Sequence, residues 1–243
     1  MSDSSTPSSA SLSAPSSAPL SAPLPDPLSA TERTRHRRLR EQGRTGREAL
    51  FEVLQAGFVC HLGVVVDGDP MVVPTVYGFD ADHLYVHGSV ASRSLTRGTT
   101  VCVTVTHVDG LVLARSVFEH GVNYRSAMIY GVPRVLEGDE KLAALRLLTE
   151  HVAPGQWDHA RRPNRRELAA TTISAIPLDE ASVKVREGHP DDADDPHDVW
   201  AGILPLTTSW QPPVTDPRAA HHPIPPHILT RPGPPTDPDG QGK

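Results

Sequence analysis

The chain is poor in the residues that most often announce a chemistry. Of its 243 residues only two are cysteines, Cys60 and Cys102. Two thiols give no disulfide framework, and no Cys-x-x-Cys occurs, which argues against a stapled secreted scaffold and a zinc ribbon. Each lies within a strand-like run and reads as a buried thiol in a reducing cytoplasm. No stretch approaches the ~20 apolar residues that cross a bilayer. The N-terminus carries Asp3, lacks a basic region and has prolines breaking each apolar stretch, so it does not read as a signal peptide. Gly-x-Ser-x-Gly, His-Glu-x-x-His and the Walker loop are all missing, which removes the motif-bearing hydrolases and nucleotide triphosphatases. Positive charge is short as well: the net charge is −6, so the whole chain has no nucleic-acid footprint. The acidic run Asp191-Asp192-Ala193-Asp194-Asp195 lacks the Gly turn and closing Glu of a calcium loop and reads as a solvated loop. The expectation is a cytoplasmic protein with no metal site and neither nucleic acid nor membrane as a partner.

Proline is abundant but unevenly placed. Of 25 prolines, 6 fall in residues 1–30 and 10 in residues 211–243. Segments so rich in Pro, Ser and Ala bury too little apolar surface to offset their ordering entropy. The reading is a disordered tail over 1–32, one domain over 33–210 and a second disordered tail over 211–243. His221, His222 and His227 fall in that last tail, where they would take metal only adventitiously. Arg33 to Arg47 contains seven arginines. It reads as a solvated helix face or as a basic contact to a cofactor or partner subunit.

Within the domain, Leu50, Val53 and Leu54 share one face of a short helix over 46–57, which Gly57 stops. Phe58 to Val66 is a strand, Asp67-Gly68-Asp69-Pro70 a tight turn, and Met71 to Phe79 the returning strand. Pro74 marks an edge, a bulge or a place where a ligand meets the backbone. His83 to His87 is a third strand, and residues 90–98 a short helix ending at Gly98. Thr100 to His107 is a strand, with a further turn at Asp109-Gly110. Residues 111–114 look extended and 115–120 could form a helical turn. Asn123 to Leu136 is a strand, Asp139 to His151 a helix, and Thr171 to Leu178 and Ser182 to Val185 are strands. Six or seven strands with short connections imply a mainly β domain with short helices, a closed or partly closed barrel.

Three clusters hold candidate chemistry. His87, Ser89, Ser92, Arg93, Ser94 and Arg97 gather hydroxyls and guanidinium groups where a strand runs into a helix start. That pattern suits a phosphate, though a capped surface helix would look the same. Asn123-Tyr124-Arg125-Ser126 opens a strand and is either a polar contact or a loop. Lys184 and the more distant Trp200 form the third, with Trp200 read as packing or as a stacking partner.

Together, Val72-Val73-Pro74-Thr75, Leu84-Tyr85-Val86-His87-Gly88, Ser92-Arg93-Ser94 and Asn123-Tyr124-Arg125-Ser126 resemble the pyridoxamine 5'-phosphate oxidase-like family. The segments Ala181 to Gly188 and Trp200 to Pro205 look like its flavin-nucleotide-binding branch, which includes the nitroimidazole reductases. The resemblance implies a split β-barrel, a homodimer with FMN at the subunit interface, and oxidoreductase activity. It implies that Val73, Pro74 and Thr75 run beside the flavin ring and that Ser92, Arg93 and Ser94 hold the phosphate. Arg125 and Ser126 would make a second polar contact, and Lys184 and Trp200 would lie near the ring. His87 is the candidate proton donor, its imidazole titrating near neutrality. A reduced nicotinamide would serve as hydride donor and a small molecule as substrate. Ser94 follows Arg93 where the oxidase proper has Lys, and the oxidase's pyridoxal-phosphate set has no match. The alternatives are a deazaflavin in place of FMN, or a non-catalytic flavin- or haem-binding carrier or sensor, in which His87 would be an axial ligand.

Overall fold

The computed structural model describes residues 28–35, 40–89 and 98–231. Ten strands form one sheet: β1 (Gly43–Arg44), β2 (Val59–Val66), β3 (Asp69–Phe79), β4 (His83–Ser89), β5 (Val101–Leu113), β6 (Gly121–Gly131), β7 (Arg134–Val135), β8 (Thr171–Pro177), β9 (Glu180–Arg186) and β10 (Gly202–Pro205). The order is β1-β9-β6-β5-β2-β3-β4-β8-β7, with β10 added to β5, and every pairing is antiparallel. β8 and β9 stand near opposite ends of this order, yet only Leu178 and Asp179 join them. The sheet must therefore curl until its ends meet, which makes the expected barrel.

The curl encloses one apolar core. Cys60 and Leu62 of β2, Val103 and Val105 of β5, Ala127 and Ile129 of β6 and Val183 of β9 point inward. Helix α1 (Arg47–Gln55) plugs the interior with Leu50, Val53 and Leu54, all buried, the three apolar positions its sequence aligns. Its C-terminal carbonyls have no partner within the helix. They are met by side chains from elsewhere. Tyr77 Oη lies 2.6 Å from Leu54 O and 2.9 Å from Gly57 O, His107 Nε2 bonds Val53 O at 2.9 Å, and His151 Nε2 bonds Gly57 O at 2.7 Å.

Helix α2 (Gly138–Val152) packs on the outside of the sheet, against β3, β4 and β8. Leu136, Ala144, Ile173, Ala175 and Tyr85 form a second small core beneath it. The short helices α3 (Gln156–His159), α4 (Arg165–Ala170) and α5 (Pro226–Leu229) follow later in the chain.

The tight turn at Asp67-Gly68 is as expected, with both residues at positive φ (55° and 92°), the geometry of a two-residue hairpin. The turn expected at Asp109-Gly110 does not form. β5 runs straight through it, with a bulge between Val108 and Gly110 opposite β6. Pairing with β6 on one side and β10 on the other overrides the local turn signal. The acidic loop also differs from its reading as solvated. Asp192 is buried and accepts from the backbone N–H groups of Arg115 and Ser116, anchoring that corner. The helix expected at 90–98 lies almost wholly outside the described residues.

The described chain extends past both expected domain boundaries. Leu28 belongs to the barrel core, and Thr31 and Arg33 bind the Glu180 carboxylate. At the other end Trp210 stacks on Phe58 at 5.7 Å, and the Arg231 guanidinium lies 4.0 Å from the centre of the Trp210 ring.

Gly78 of β3 sits directly under α2. A Cβ there would lie 2.6 Å from Leu148 Cα and 2.8 Å from Leu148 N, which are backbone atoms that cannot rotate away. Gly78→Ala is expected to push α2 off the sheet and cost about 1–3 kcal/mol, read as a lowered thermal midpoint. An unchanged midpoint would show that α2 is not held at this contact.

Candidate functional site

Strand alternation assigns each candidate to a face. Residues opposite one another in the ladder share a face, so the register gives the outer surface row by row. One row is Ser182, Met128, Thr104, His61 and Pro74, crossing β9, β6, β5, β2 and β3. Beside it runs Glu180, Tyr130, Cys102, Gly63 and Val72. On its other side run Lys184, Ser126 and Thr106. Pro74, Ser126 and Lys184 thus share one surface. It mixes small residues with larger ones such as His61, Met128 and Tyr130, and apolar side chains are bare upon it: Val59 is 44% exposed, Val65 57% and Val72 66%.

His87 belongs to the same outer face. It stands opposite Ile173 of β8, two positions beyond Tyr85, and it is exposed. The two faces of β4 are otherwise filled, Leu84 and Val86 by the barrel core and Tyr85 by the core under α2. Asp80 fixes the entry to this strand. Burial works to raise its pKa, but a hydrogen bond from Tyr85 Oη at 2.5 Å and those from the N–H groups of Asp82 and His83 outweigh it and hold the carboxyl below its ordinary value.

Val73 and Thr75 point the other way, opposite Leu62 and Cys60. Their strand still offers something to the outer side. Tyr77 N–H donates to Phe58 O, so the odd positions of β3 bond toward β2 and the even ones face away. β4 pairs with β3 only at Tyr77 to Phe79. Among the described residues, the N–H groups of Val72 and Val76 and the carbonyls of residues 70, 72 and 74 therefore line an open edge. Pro70 and Pro74 fall at even positions, where the missing N–H costs no ladder bond.

Arg125 is engaged within the chain. It makes a two-pronged bond to Asp109, Nε to Oδ2 at 3.0 Å and Nη2 to Oδ1 at 2.8 Å. That pair spans the β5 bulge on the face opposite Ser126. Lys184 Nζ lies 5.8 Å from the centre of the Tyr124 ring. Trp200 is 68% exposed, and its ring packs where a Gly202 Cβ would stand. Ser92, Arg93 and Ser94 lie outside the described residues. His61, at the middle of the central row, is a residue the motif reading passed over: a single His in an apolar strand has no local signal.

Two concavities lie elsewhere. One of about 220 Å³ lies under residues 28–35, lined by Leu28, Thr31, Thr34, Arg44 and Ser182. A shallow groove of about 590 Å³ runs between α1 and Phe79. The first takes in Arg35 and Arg44 of the arginine-rich stretch and Ala181 and Ser182; the candidate site residues line neither. No helix among the described residues is long and apolar enough to cross a membrane.

Residues 46–185 match the sequence profile of the family described as pyridoxamine 5'-phosphate oxidase. The chain belongs to the pyridoxamine 5'-phosphate oxidase-like family. The FAD and heme binding protein from Mycobacterium smegmatis is 39% identical to this family member, with a TM-score of 0.74 over 77% of this chain and 96% of that one. The flavocytochrome Anf3 from Azotobacter vinelandii is 34% identical, with a TM-score of 0.77 over 82% and 96%. A putative 5-nitroimidazole antibiotic resistance protein from Bacteroides thetaiotaomicron shares the fold, at 22% identity and a TM-score of 0.50 over 59% and 86%. The curated proteins include no match. The expected split-barrel family and fold are both found.

Burial holds the imidazoles of His107 and His151 below their ordinary value of 6.5 against the opposing pull of their bonds to Val53 O and Gly57 O. At His107 the nearby Arg125 pushes the same way as burial. Both rings therefore hold a proton less readily in the folded protein than an ordinary imidazole does. The unfolded chain binds protons there more readily, so stability is full above about pH 6.5 and falls as the pH drops through the folded values. Thermal midpoints measured from pH 8 to pH 5 should fall in acid. His151→Gln, which keeps a donor for Gly57 O, should flatten that slope, and an unaltered slope would place the titration elsewhere.

Proposed function

We propose that this protein is a flavin-binding oxidoreductase that holds its cofactor on the outer face of the barrel, along the open edge of β3. The supporting observation is that Pro74, His87, Ser126 and Lys184, picked from separate segments of sequence, share one outer surface beside an unpaired backbone edge. The fit is chemical as well as spatial. A planar, largely apolar ring with a polar rim suits a sheet face that carries bare Val side chains with Thr104, Thr106 and Ser126 and is edged by backbone N–H and carbonyl groups. Bound flavin supplies hydride and single-electron chemistry that no side chain here offers.

The protein's own residues then have distinct tasks. The Val72 and Val76 N–H groups and the Pro74 carbonyl hold the polar rim of the ring. Ser126 and Lys184 face the same surface from β6 and β9. Arg93, with Ser92 and Ser94, holds phosphate at the end of β4. His87, exposed where β4 ends, carries a proton to or from a small-molecule substrate, and a reduced nicotinamide serves as electron donor. A second copy of the chain covers the bare apolar face, giving a homodimer and excluding water from the ring. The family resemblance alone implies FMN. The 39%-identical relative is named for FAD, so we take FAD as the bound form, and the two differ by a mass that released cofactor reveals.

A second reading, haem binding, is favoured by a specific observation. One relative of at least a third identity is named for FAD and haem together, and another is named a flavocytochrome.

The purified protein is expected to be yellow, to release FAD on denaturation and to bleach with NADH or NADPH. A colourless protein that takes up neither FAD nor FMN would contradict the proposal. Arg93→Ala should weaken flavin binding by ten- to a hundredfold, the loss of a charge-assisted contact of about 1.5–3 kcal/mol, measured by fluorescence titration. Unchanged affinity would remove Arg93 from the site.

A further inference from the structure

Residues 28–35 are pinned to the barrel at several points. Leu28 N–H donates to Thr45 O at 3.0 Å and Ser29 N–H to Asp179 O at 2.8 Å, while Thr31 and Arg33 hold the Glu180 carboxylate. Between these pins the segment roofs the cavity of about 220 Å³ beside β1 and β9. Packed chains rarely keep a void much larger than a water molecule, so one of this size under a pinned segment points to an occupant. Its lining is mostly apolar. The exceptions include the guanidinium groups of Arg35 and Arg44, both of which reach solvent. Neither is held tightly. Arg35 pairs with Glu32 at 2.9 Å on open surface, where an ion pair contributes little. Arg44 Nη1 bonds the carbonyls of Glu41 and Gly43, and its ion pair with Glu187 is long, 3.7 Å. The Thr45 and Ser182 hydroxyls, also in the lining, make no hydrogen bond among the described residues.

We infer that this cavity binds a small aromatic carboxylate, with its ring inside and its carboxylate on Arg44. Size sets the ring. An apolar cavity of about 150 Å³ takes up benzene, and the extra volume here leaves room for a carboxylate. A rigid ring also fills such a space without the ordering cost of a flexible chain. Charge sets the head group. A guanidinium presents two parallel donors that match a carboxylate, and the hydroxyls of Thr45 and Ser182 add neutral donors. The carboxylates nearby do not oppose an anion strongly: Glu180 is spent on Thr31 and Arg33, and Glu32 on Arg35. The site is separate from the proposed flavin surface. It is lined by none of Pro74, His87, Ser126 and Lys184, and Pro74 stands at the far end of the row that Ser182 begins. The inference therefore does not depend on the flavin reading.

The test is a titration of the full-length protein with benzoate, followed by ligand-observed NMR. The wild type should bind with a Kd on the order of 1 mM or tighter, the range for a fragment of this size. Benzyl alcohol, which keeps the ring and loses the charge, should bind at least tenfold more weakly. Arg44→Gln should weaken benzoate at least tenfold, and Arg44→Lys should recover part of that loss, since it restores the charge without the fork. Ser182→Leu, which fills the cavity from the sheet, should abolish binding. Thermal midpoints and flavin content should match the wild type in all three variants, and if Ser182→Leu does not fold, the two Arg44 variants decide. Absence of benzoate binding in the wild type would overturn the inference, as would equal affinity in Arg44→Gln or equal affinity for benzyl alcohol. Displacement of benzoate by inorganic phosphate at equal concentration would overturn the choice of an aromatic acid. Displacement by FAD would overturn the separation of this cavity from the flavin surface while leaving the flavin proposal standing.

Discussion

The two-residue link between β8 and β9 sets the shape of this protein. Strands that close in sequence cannot lie at distant ends of a flat ten-stranded sheet, so the sheet curls. Once it curls, alternation divides each strand into an inner row and an outer row. The inner rows, with α1 as plug, have only one way to be satisfied. The outer rows are covered by α2 over β3, β4 and β8 and by residues 28–35 near Tyr130 and Glu180. What is left bare between them is the surface that carries the candidate site.

That division explains why the candidate residues meet. Pro74, Ser126, Lys184 and His87 come from four strands spread over more than a hundred positions, and no local pattern links them. The register links them, because each falls on the outer parity of its strand. The same parity explains Pro70 and Pro74. An edge strand tolerates proline only where the missing N–H would have faced outward, and both are there. The edge is thereby stripped of two donors and keeps its carbonyls, which discourages pairing with a stray strand while leaving acceptors and two N–H groups for a ligand.

Much of the fold was legible because its strands are long and β-branched and its two main helices carry periodic apolar residues. The strands read as Phe58 to Val66, His83 to His87 and Thr100 to His107 were visible from composition alone. The strands that escaped notice, Gly43–Arg44 and Gly202–Pro205, are two and four residues long and exist only through pairing with β9 and β5. The dipeptide Asp-Gly turned the chain at 67–68 and did not at 109–110, since ladder bonds on both sides of β5 outweigh a local preference. Asp192 looked solvated because its neighbours are acidic, yet two backbone N–H groups of a distant corner bury it. Arg125 read as a ligand contact because Asp109, its partner, is 16 residues away in sequence. His61 gave no signal at all until the register set it opposite Pro74. The phosphate cluster at Ser92-Arg93-Ser94 was plain in the sequence and lies outside the described structure.

The central claim is that flavin docks on the outer face against the β3 edge. Hydrogen exchange with and without added FAD tests it most directly, because the Val72 and Val76 amides have no ladder partner in the described chain while Val73 and Thr75 bond toward β2. The account predicts that FAD slows exchange in residues 70–76 and leaves helix α1, buried inside the barrel, unaltered. Protection confined to residues 28–45, around the cavity beneath the N-terminal segment, with no effect at Val72 and Val76, would contradict it.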